Sequence, residues 1–319
     1  MMIYNTAQLN TGIGVYAYNL SNGLNIKLNN DFLNNDHYYI DYFKRSLFRK
    51  RVNELVINSS IFSNYYLGNK NIFVIHDFFY KDYMPEFSKF MFDYGLFLAK
   101  MNSDKFICVS NYTYKRALKE LNKDRLEFIY PFVNPKFDYK GYKLRTGLII
   151  LMDSSNFANK RPGYYQIFYD YVFQNYFNDF KFIRFNKIGY PIYMSFSDKW
   201  SRNYKNIPED FIIEIYKRSN VFLSFSENEG FGYPLSQAIL SSNSVVVSEN
   251  ETYKELLGND FRYFIKDIND FEDIFYLIIQ SLDDIEMRKS IYNRISMLIN
   301  PMKLKKEWEY VFDELGVKI

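Results

Sequence analysis

Along this chain, short apolar runs that suit buried strands recur: "NIFVIHD" (71–77), "DKFICVS" (104–110), "LEFIYP" (126–131), "GLIILMD" (147–153), "FKFIRF" (180–185), "VFLSFS" (221–226) and "SVVVS" (244–248). Between them lie longer stretches whose apolar residues recur at helical spacing, among them "NYTYKRALKEL", "GYYQIFYDYVFQNYF" and "EDFIIEIYKRS". Strands that alternate with helices of this length predict parallel sheets built from strand–helix–strand units, an α/β fold. "YPFVNPKFDYKGYKLRTG" (130–147), with two prolines and two glycines between strand-like runs, reads as an interdomain connection. The pattern therefore predicts domains at 1–140 and 146–298, and a last helix over 301–319.

Residues 41–57, "DYFKRSLFRKRVNELVI", place Phe43, Leu47, Phe48, Val52, Leu55 and Val56 at helical spacing among five cations. The spacing predicts one basic amphipathic helix, either packed on a core with its basic face in water or lying on an anionic membrane surface.

Composition narrows the classes. The 319 residues are 48% hydrophobic and 24% charged, as in ordinary globular proteins, but include 31 Tyr and 32 Phe. With Asn, Lys and Ile also abundant, this reads as A/T-biased coding, not an aromatic cofactor site. One Cys, Cys108, inside the apolar run "FICVS", excludes a disulfide framework, and two His exclude a His-rich zinc site. A net charge of +3 is too small to imply nucleic acid. No 18-residue apolar run occurs, and the start lacks a basic region followed by a long apolar core; a cytoplasmic protein, at most peripheral to a membrane, is expected.

Three loops carry candidate chemistry. "SENEGFGYPLSQAI" (226–239) follows the apolar run "VFLSFS", and Pro234 suits a first helical turn because its missing N–H would be unpaired there. Glu227 and Glu229 would then sit beyond a strand's carboxyl end, where parallel sheets bind ligands, beside the free N–H groups of a helix start. Gly230 and Gly232 let backbone approach a ligand. A ligand bearing both hydroxyls and phosphates fits this chemistry; a plain capped turn fits the sequence equally well. "NTGIGVYAYNL" (10–20) is a second glycine loop opening a helix, in which Gly12 and Gly14 would turn N–H groups toward a diphosphate, or simply form a turn. "DSSNFANKRPG" (153–163) supplies Lys160 and Arg161, either stabilisers of a departing diphosphate or an exposed basic turn. His76, next to Asp77, ends a strand; it is a structural hydrogen-bonder or one half of a general-base pair, with no nucleophile elbow to complete a hydrolase triad.

In order, these features resemble the GT-B glycosyltransferases, specifically the retaining family 4 (glycosyl transferases group 1), through "EGFGYPLSQA" with its flanks "IYKRSNVFLSFS" and "SVVVSENETYKELLG". "GIGVYAYNL", "VIHDFF", "FICVSNYTYKRAL", "IYPFVNPKF" and the closing "KKEWEYVFDEL" fall in the family's order too. The resemblance implies two Rossmann-like domains facing across a cleft, the second holding a nucleoside diphosphate sugar, the first on the acceptor side, and the last helix returning toward the first. It implies transfer of a hexosyl unit to an acceptor hydroxyl of a glycan, lipid or protein, with retention and without a metal or other cofactor. In that picture Glu229 holds hydroxyls of the donor sugar near the backbone N–H groups of Phe231 and Gly232. Lys160 binds the diphosphate, Gly12 and Gly14 close on it, and His76 meets the sugar near the reacting carbon. Two positions depart from the pattern: Gln237 replaces a Glu that typically holds ribose, and Ser154 stands where many members have Arg, a role Arg161 could assume. A nucleotide-sugar epimerase, a phosphorylase and an inactive nucleotide-sugar-binding protein remain as alternatives.

Overall fold

The computed structural model describes residues 1–7, 11–32, 38–139, 148–152, 158–176, 180–186, 201–205 and 208–317. They divide into two compact units, one of Met1–Phe132 with Ile299–Ile319, the other of Val133–Leu298.

The first unit runs β1 (Met2–Asn5), α1 (Gly12–Leu24), β2 (Lys27–Asn30), α2 (Tyr38–Leu47), β3 (Lys50–Arg51), β4 (Leu55–Asn58), β5 (Tyr66–Leu67), β6 (Lys70–Ile75), α3 (Phe79–Tyr83), α4 (Glu86–Asn102), β7 (Lys105–Cys108), α5 (Asn111–Ala117) and β8 (Leu126–Phe128). Six strands form one sheet in the order β2-β1-β4-β6-β7-β8, every pairing parallel. The central strands are buried on both faces, which explains their unbroken apolar runs. Phe73, Ile75, Phe106 and Cys108 pack with Tyr42 of α2 and Phe92 and Leu96 of α4. Part of the aromatic excess is thus core material. Cys108 is fully buried, and burial pushes its thiol pKa up.

The single helix expected over 41–57 is not formed. Helix α2 ends at Leu47, Lys50–Arg51 pairs with Tyr66–Leu67, and Leu55–Asn58 is a central strand whose residues are all buried. An uninterrupted run such as Leu55–Ile57 fits a buried strand as well as a helix, and pairing with both β1 and β6 decides it.

The second unit runs β9 (Leu148–Met152), α6 (Pro162–Asn175), β10 (Phe180–Asn186), β11 (Ser201–Lys205), α7 (Glu209–Arg218), β12 (Val221–Ser224), α8 (Tyr233–Leu240), β13 (Ser244–Ser248), α9 (Glu251–Leu257), β14 (Phe264–Ile265), α10 (Phe271–Asp283) and α11 (Ile285–Leu298). Its parallel sheet has the order β11-β10-β9-β12-β13-β14. Counted within the unit this is 3-2-1-4-5-6, the doubly wound order, with its switch point between β9 and β12. Residues 133–139, expected in the first domain, pack in this unit instead. Asn134 Nδ2 donates to Glu209 at 3.0 Å, Phe137 is buried against Tyr216, and Tyr139 N–H donates to Leu240 O at 2.9 Å.

The last helix, α12 (Pro301–Glu314), belongs to the first unit. Asn300 caps it by accepting the Met302 and Lys303 N–H groups, it buries Leu304, Trp308, Val311 and Phe312, and Glu314 pairs with Lys105 of β7 at 2.8 Å. Among the described residues, no helix is long and apolar enough to cross a membrane.

Candidate functional site

The switch point of the second unit brings together loops that are far apart in sequence. After β9, residues 153–157, including Ser154, lie outside the described residues. The chain resumes in the short turn Ala158–Lys160, and Arg161 takes the left-handed conformation (φ 48°) before Pro162 opens α6. The loop after β12 is stitched to this turn: Glu227 N–H donates to Asn159 O at 2.7 Å, and Asn159 Nδ2 donates to Asn228 O at 2.8 Å. Arg161 pairs with Glu227 at 3.2 Å.

These backbone ties bring Lys160 and Glu229 into a direct ion pair, each side chain only 10% exposed. A third loop, after β13, completes the arrangement. Tyr253 OH donates to Glu229 Oε1 at 3.2 Å and so must accept from Ser224 Oγ, 3.0 Å away, since a phenol has one proton. Thr252 Oγ1 donates to Glu229 O at 2.6 Å, and Asn250 caps α9 by accepting the Tyr253 N–H at 2.8 Å while its Nδ2 donates to Ser226 O at 3.0 Å. Glu229 is therefore fixed through both its backbone and its carboxylate.

Gly232 ends the loop in the left-handed region (φ 81°), and a Cβ there would sit 3.0 Å from Tyr253 Cε1. Helix α8 starts directly after it with no acidic residue in its first turn. Two buried polar atoms, Asn159 Oδ1 and Ser236 Oγ of α8, have no hydrogen-bond partner among the described residues. Phe231 is buried and Gln237 is half-buried one turn into α8.

The other expected residues belong to the first unit. Thr11 caps α1 by accepting the Gly14 N–H at 3.1 Å, so that N–H is already used within the helix cap. Gly12 is exposed, and a Cβ on it would meet nothing within 4 Å. His76 follows β6; its Nε2 donates to Ser59 O at 2.7 Å, and the Tyr16 ring packs edge-on at 4.8 Å. Burial pushes its pKa down to about 4, against the opposing pull of that carbonyl. The imidazole is neutral, and because a carbonyl only accepts, its proton is on Nε2 and Nδ1 keeps its lone pair. The neighbouring Asp77 is exposed and accepts the Phe79 N–H, two residues on, at 3.0 Å.

Residues 202–296 match the family described as glycosyl transferases group 1. The serotype-specific mannosyltransferase WbdA of Escherichia coli is 33% identical over 60 residues, 19% of this chain. The match spans 7% of that relative's length. Anabaena Alr3699/HepE, solved in complex with UDP-glucose, superposes with a TM-score of 0.70 at 10% identity, covering 98% of this chain and 99% of that one. The chain has the GT-B glycosyltransferase fold. A second GT-B structure, Staphylococcus aureus TarM with Fondaparinux, alpha-GlcNAc-glycerol and UDP, gives a TM-score of 0.62 at 14% identity, covering 81% of this chain and 55% of that one.

Within this GT-B chain the matched family segment contains Glu229, Gly232, Gln237 and Tyr253; Lys160 precedes it and meets it through the switch point. Sequence reading missed Asn159, Asn250, Thr252 and Tyr253. A signal existed for the last three: "SENETYKELL" follows the buried run "SVVVS", so Asn250 begins a helix at a strand's carboxyl end, the position where parallel sheets place ligand groups.

Proposed function

We propose that this protein transfers a hexosyl unit from a nucleoside diphosphate sugar to an acceptor hydroxyl. The observation that carries the reading is the buried Lys160–Glu229 pair at the switch point: a cation for a diphosphate beside a carboxylate for sugar hydroxyls. The orphaned Asn159 Oδ1 adds an acceptor for a ligand hydroxyl, and the Ser236 hydroxyl adds a donor or acceptor. UDP is the nucleotide in this proposal, because HepE and TarM are solved with UDP-glucose and UDP.

In the proposed reaction, Lys160 and the α8 N-terminus hold the charge that develops on the departing diphosphate, with Arg161 as a further contact. Glu229 orients the sugar through its hydroxyls, beside the backbone at Phe231 and Gly232. Gln237 takes a ribose hydroxyl, as its amide can accept one hydrogen bond and donate another. In the first unit, neutral His76 gives Nε2 to Ser59 O and keeps Nδ1 as an acceptor for a ligand hydroxyl; it does not supply a positive charge. No protein nucleophile is invoked: the bond from the anomeric carbon to the diphosphate breaks as the acceptor oxygen bonds to that carbon from the same face, which gives retention, and the leaving phosphate oxygen takes the acceptor proton; no metal is assigned a role. Rate enhancement then comes from positioning and electrostatics. The first unit is the acceptor side in this reading, and the acceptor is a glycan, lipid or protein hydroxyl.

A thermal-shift panel of UDP, GDP, ADP and their sugars tests it. A ligand at a hundredfold its Kd adds about 3 kcal/mol of stability. UDP-sugars are expected to raise the melting temperature, and Lys160→Ala to abolish that shift. Protection by no nucleotide sugar would sink the reading. Protection without transfer or hydrolysis would favour the inactive binding protein, and interconversion of the donor sugar without acceptor would favour an epimerase.

A further inference from the structure

Helix α4 presents an apolar stripe to the outside. Phe87, Phe90, Tyr94, Phe97 and Met101 recur at intervals of three and four residues, so they line one face. Phe90 is 63% exposed and Met101 68%, while Met91, Phe92 and Leu96 on the opposite face fill the core. Helix α2 extends this stripe sideways. The Phe43 ring lies 5.8 Å from that of Tyr94, and Ser46 Oγ is 3.1 Å from Tyr94 OH. Beyond that junction Phe43, Leu47 and Phe48 are exposed, Phe48 by 75%. Single exposed apolar residues are ordinary, but a contiguous two-helix face of this kind marks an interaction surface.

The charges around it indicate the partner. On α4 the acids are already matched, Glu86 with Lys89 at 2.9 Å and Asp93 with Lys81 at 3.2 Å. From Tyr38 to Arg51, by contrast, five cations, Lys44, Arg45, Arg49, Lys50 and Arg51, stand against the single acid Asp41. Among the described residues, Arg45 alone of the five pairs with an acid outside that stretch, Asp31 at 2.9 Å. Lys44, Lys50 and Arg51 are exposed. A second copy docking on the same face about a two-fold axis would bring two basic rims together. An anionic bilayer offers the opposite charge at its headgroups and apolar depth for the rings beneath.

We propose that the α2–α4 face docks the protein on an anionic membrane surface. The contact uses the end of α2, the β3 cations and α4, not the helix over 41–57 that the sequence pattern predicts. It does not depend on the donor reading, since none of its residues belongs to the switch-point cluster.

Co-sedimentation of the full chain with vesicles tests it. The protein is expected to pellet with phosphatidylcholine–phosphatidylglycerol vesicles and not with phosphatidylcholine alone, and to be released by raised salt. Lys50→Glu with Arg51→Glu should weaken binding about tenfold or more, and Phe48→Glu with Phe90→Glu should abolish it. All four positions are exposed or rim positions, so the melting temperature and any UDP-sugar shift should stay as in the unaltered protein. Absence of binding to anionic vesicles, or binding that these variants leave intact, overturns the proposal. So does a dimer by light scattering that Phe90→Glu converts to monomer, which would make the face a contact between copies.

Discussion

Glu229 and Lys160 neutralise each other where little water reaches, so each depends on the other. Removing one partner of a buried pair typically costs about 3–5 kcal/mol, because the remaining charge stays buried and unmatched. Glu229→Ala should therefore destabilise the protein in urea melts by that order, and Glu229→Gln combined with Lys160→Met should cost less than Glu229→Ala alone. Both forms should lose transfer activity by about two to three orders of magnitude. Gly232→Ala should cost about 1–3 kcal/mol, since a side chain there is strained at φ 81° and crowds Tyr253. His76, held neutral with a pKa of about 4, makes stability depend on acidity. The unfolded imidazole binds a proton near pH 6.5, so His76 costs nothing above that value. Stability is then lost as pH falls from about 6.5 toward 4, by on the order of 3 kcal/mol. Denaturation of His76→Gln across pH 4 to 7 should lack this component. Of this cluster, Glu229, Lys160 and Gly232 could be read in the sequence because loop position and residue chemistry coincide there. Tyr253 shares that loop position, but as one of 31 Tyr its residue type adds nothing until the fold brings its hydroxyl to the carboxylate.

At the scale of elements, the legible strands were those buried on both faces, whose apolar runs are unbroken. β11, "SRNYK", lies at a sheet edge and carries no apolar run, so nothing local distinguishes it from a loop. β4 failed for the opposite reason: Leu55–Ile57 continues the apolar spacing of α2 across the break at Phe48. Helix α12 was legible through Pro301 and its amphipathic repeat, and its buried face makes it a structural element of the first unit. Trp308→Ala should cost about 3–5 kcal/mol in denaturant melts, whereas Phe48→Ala, at an exposed position, should stay within about 0.5 kcal/mol.

At the scale of the molecule, the parallel α/β architecture and a division between two units followed from the alternation of strand-like and helical segments, whereas the place of residues 133–139 did not. Pro135 and the charged residues beside it look like part of a linker, but Phe137 and Asn134 find partners in the second unit that no local pattern displays. Because α12 supplies four buried side chains to the first unit, a chain ending at residue 299 should forfeit much of that unit's stability. At about 1.5–3 kcal/mol per buried side chain, the loss is comparable with the whole stability of a typical domain. Limited proteolysis of the truncated chain should then cut within residues 1–132 while sparing 133–298. The same discontinuity sets an order of events during synthesis. Residues 133–298 leave the ribosome as one uninterrupted unit, while residues 1–132 must wait for α12, made after that unit, so the earlier of the two is the later one to finish folding.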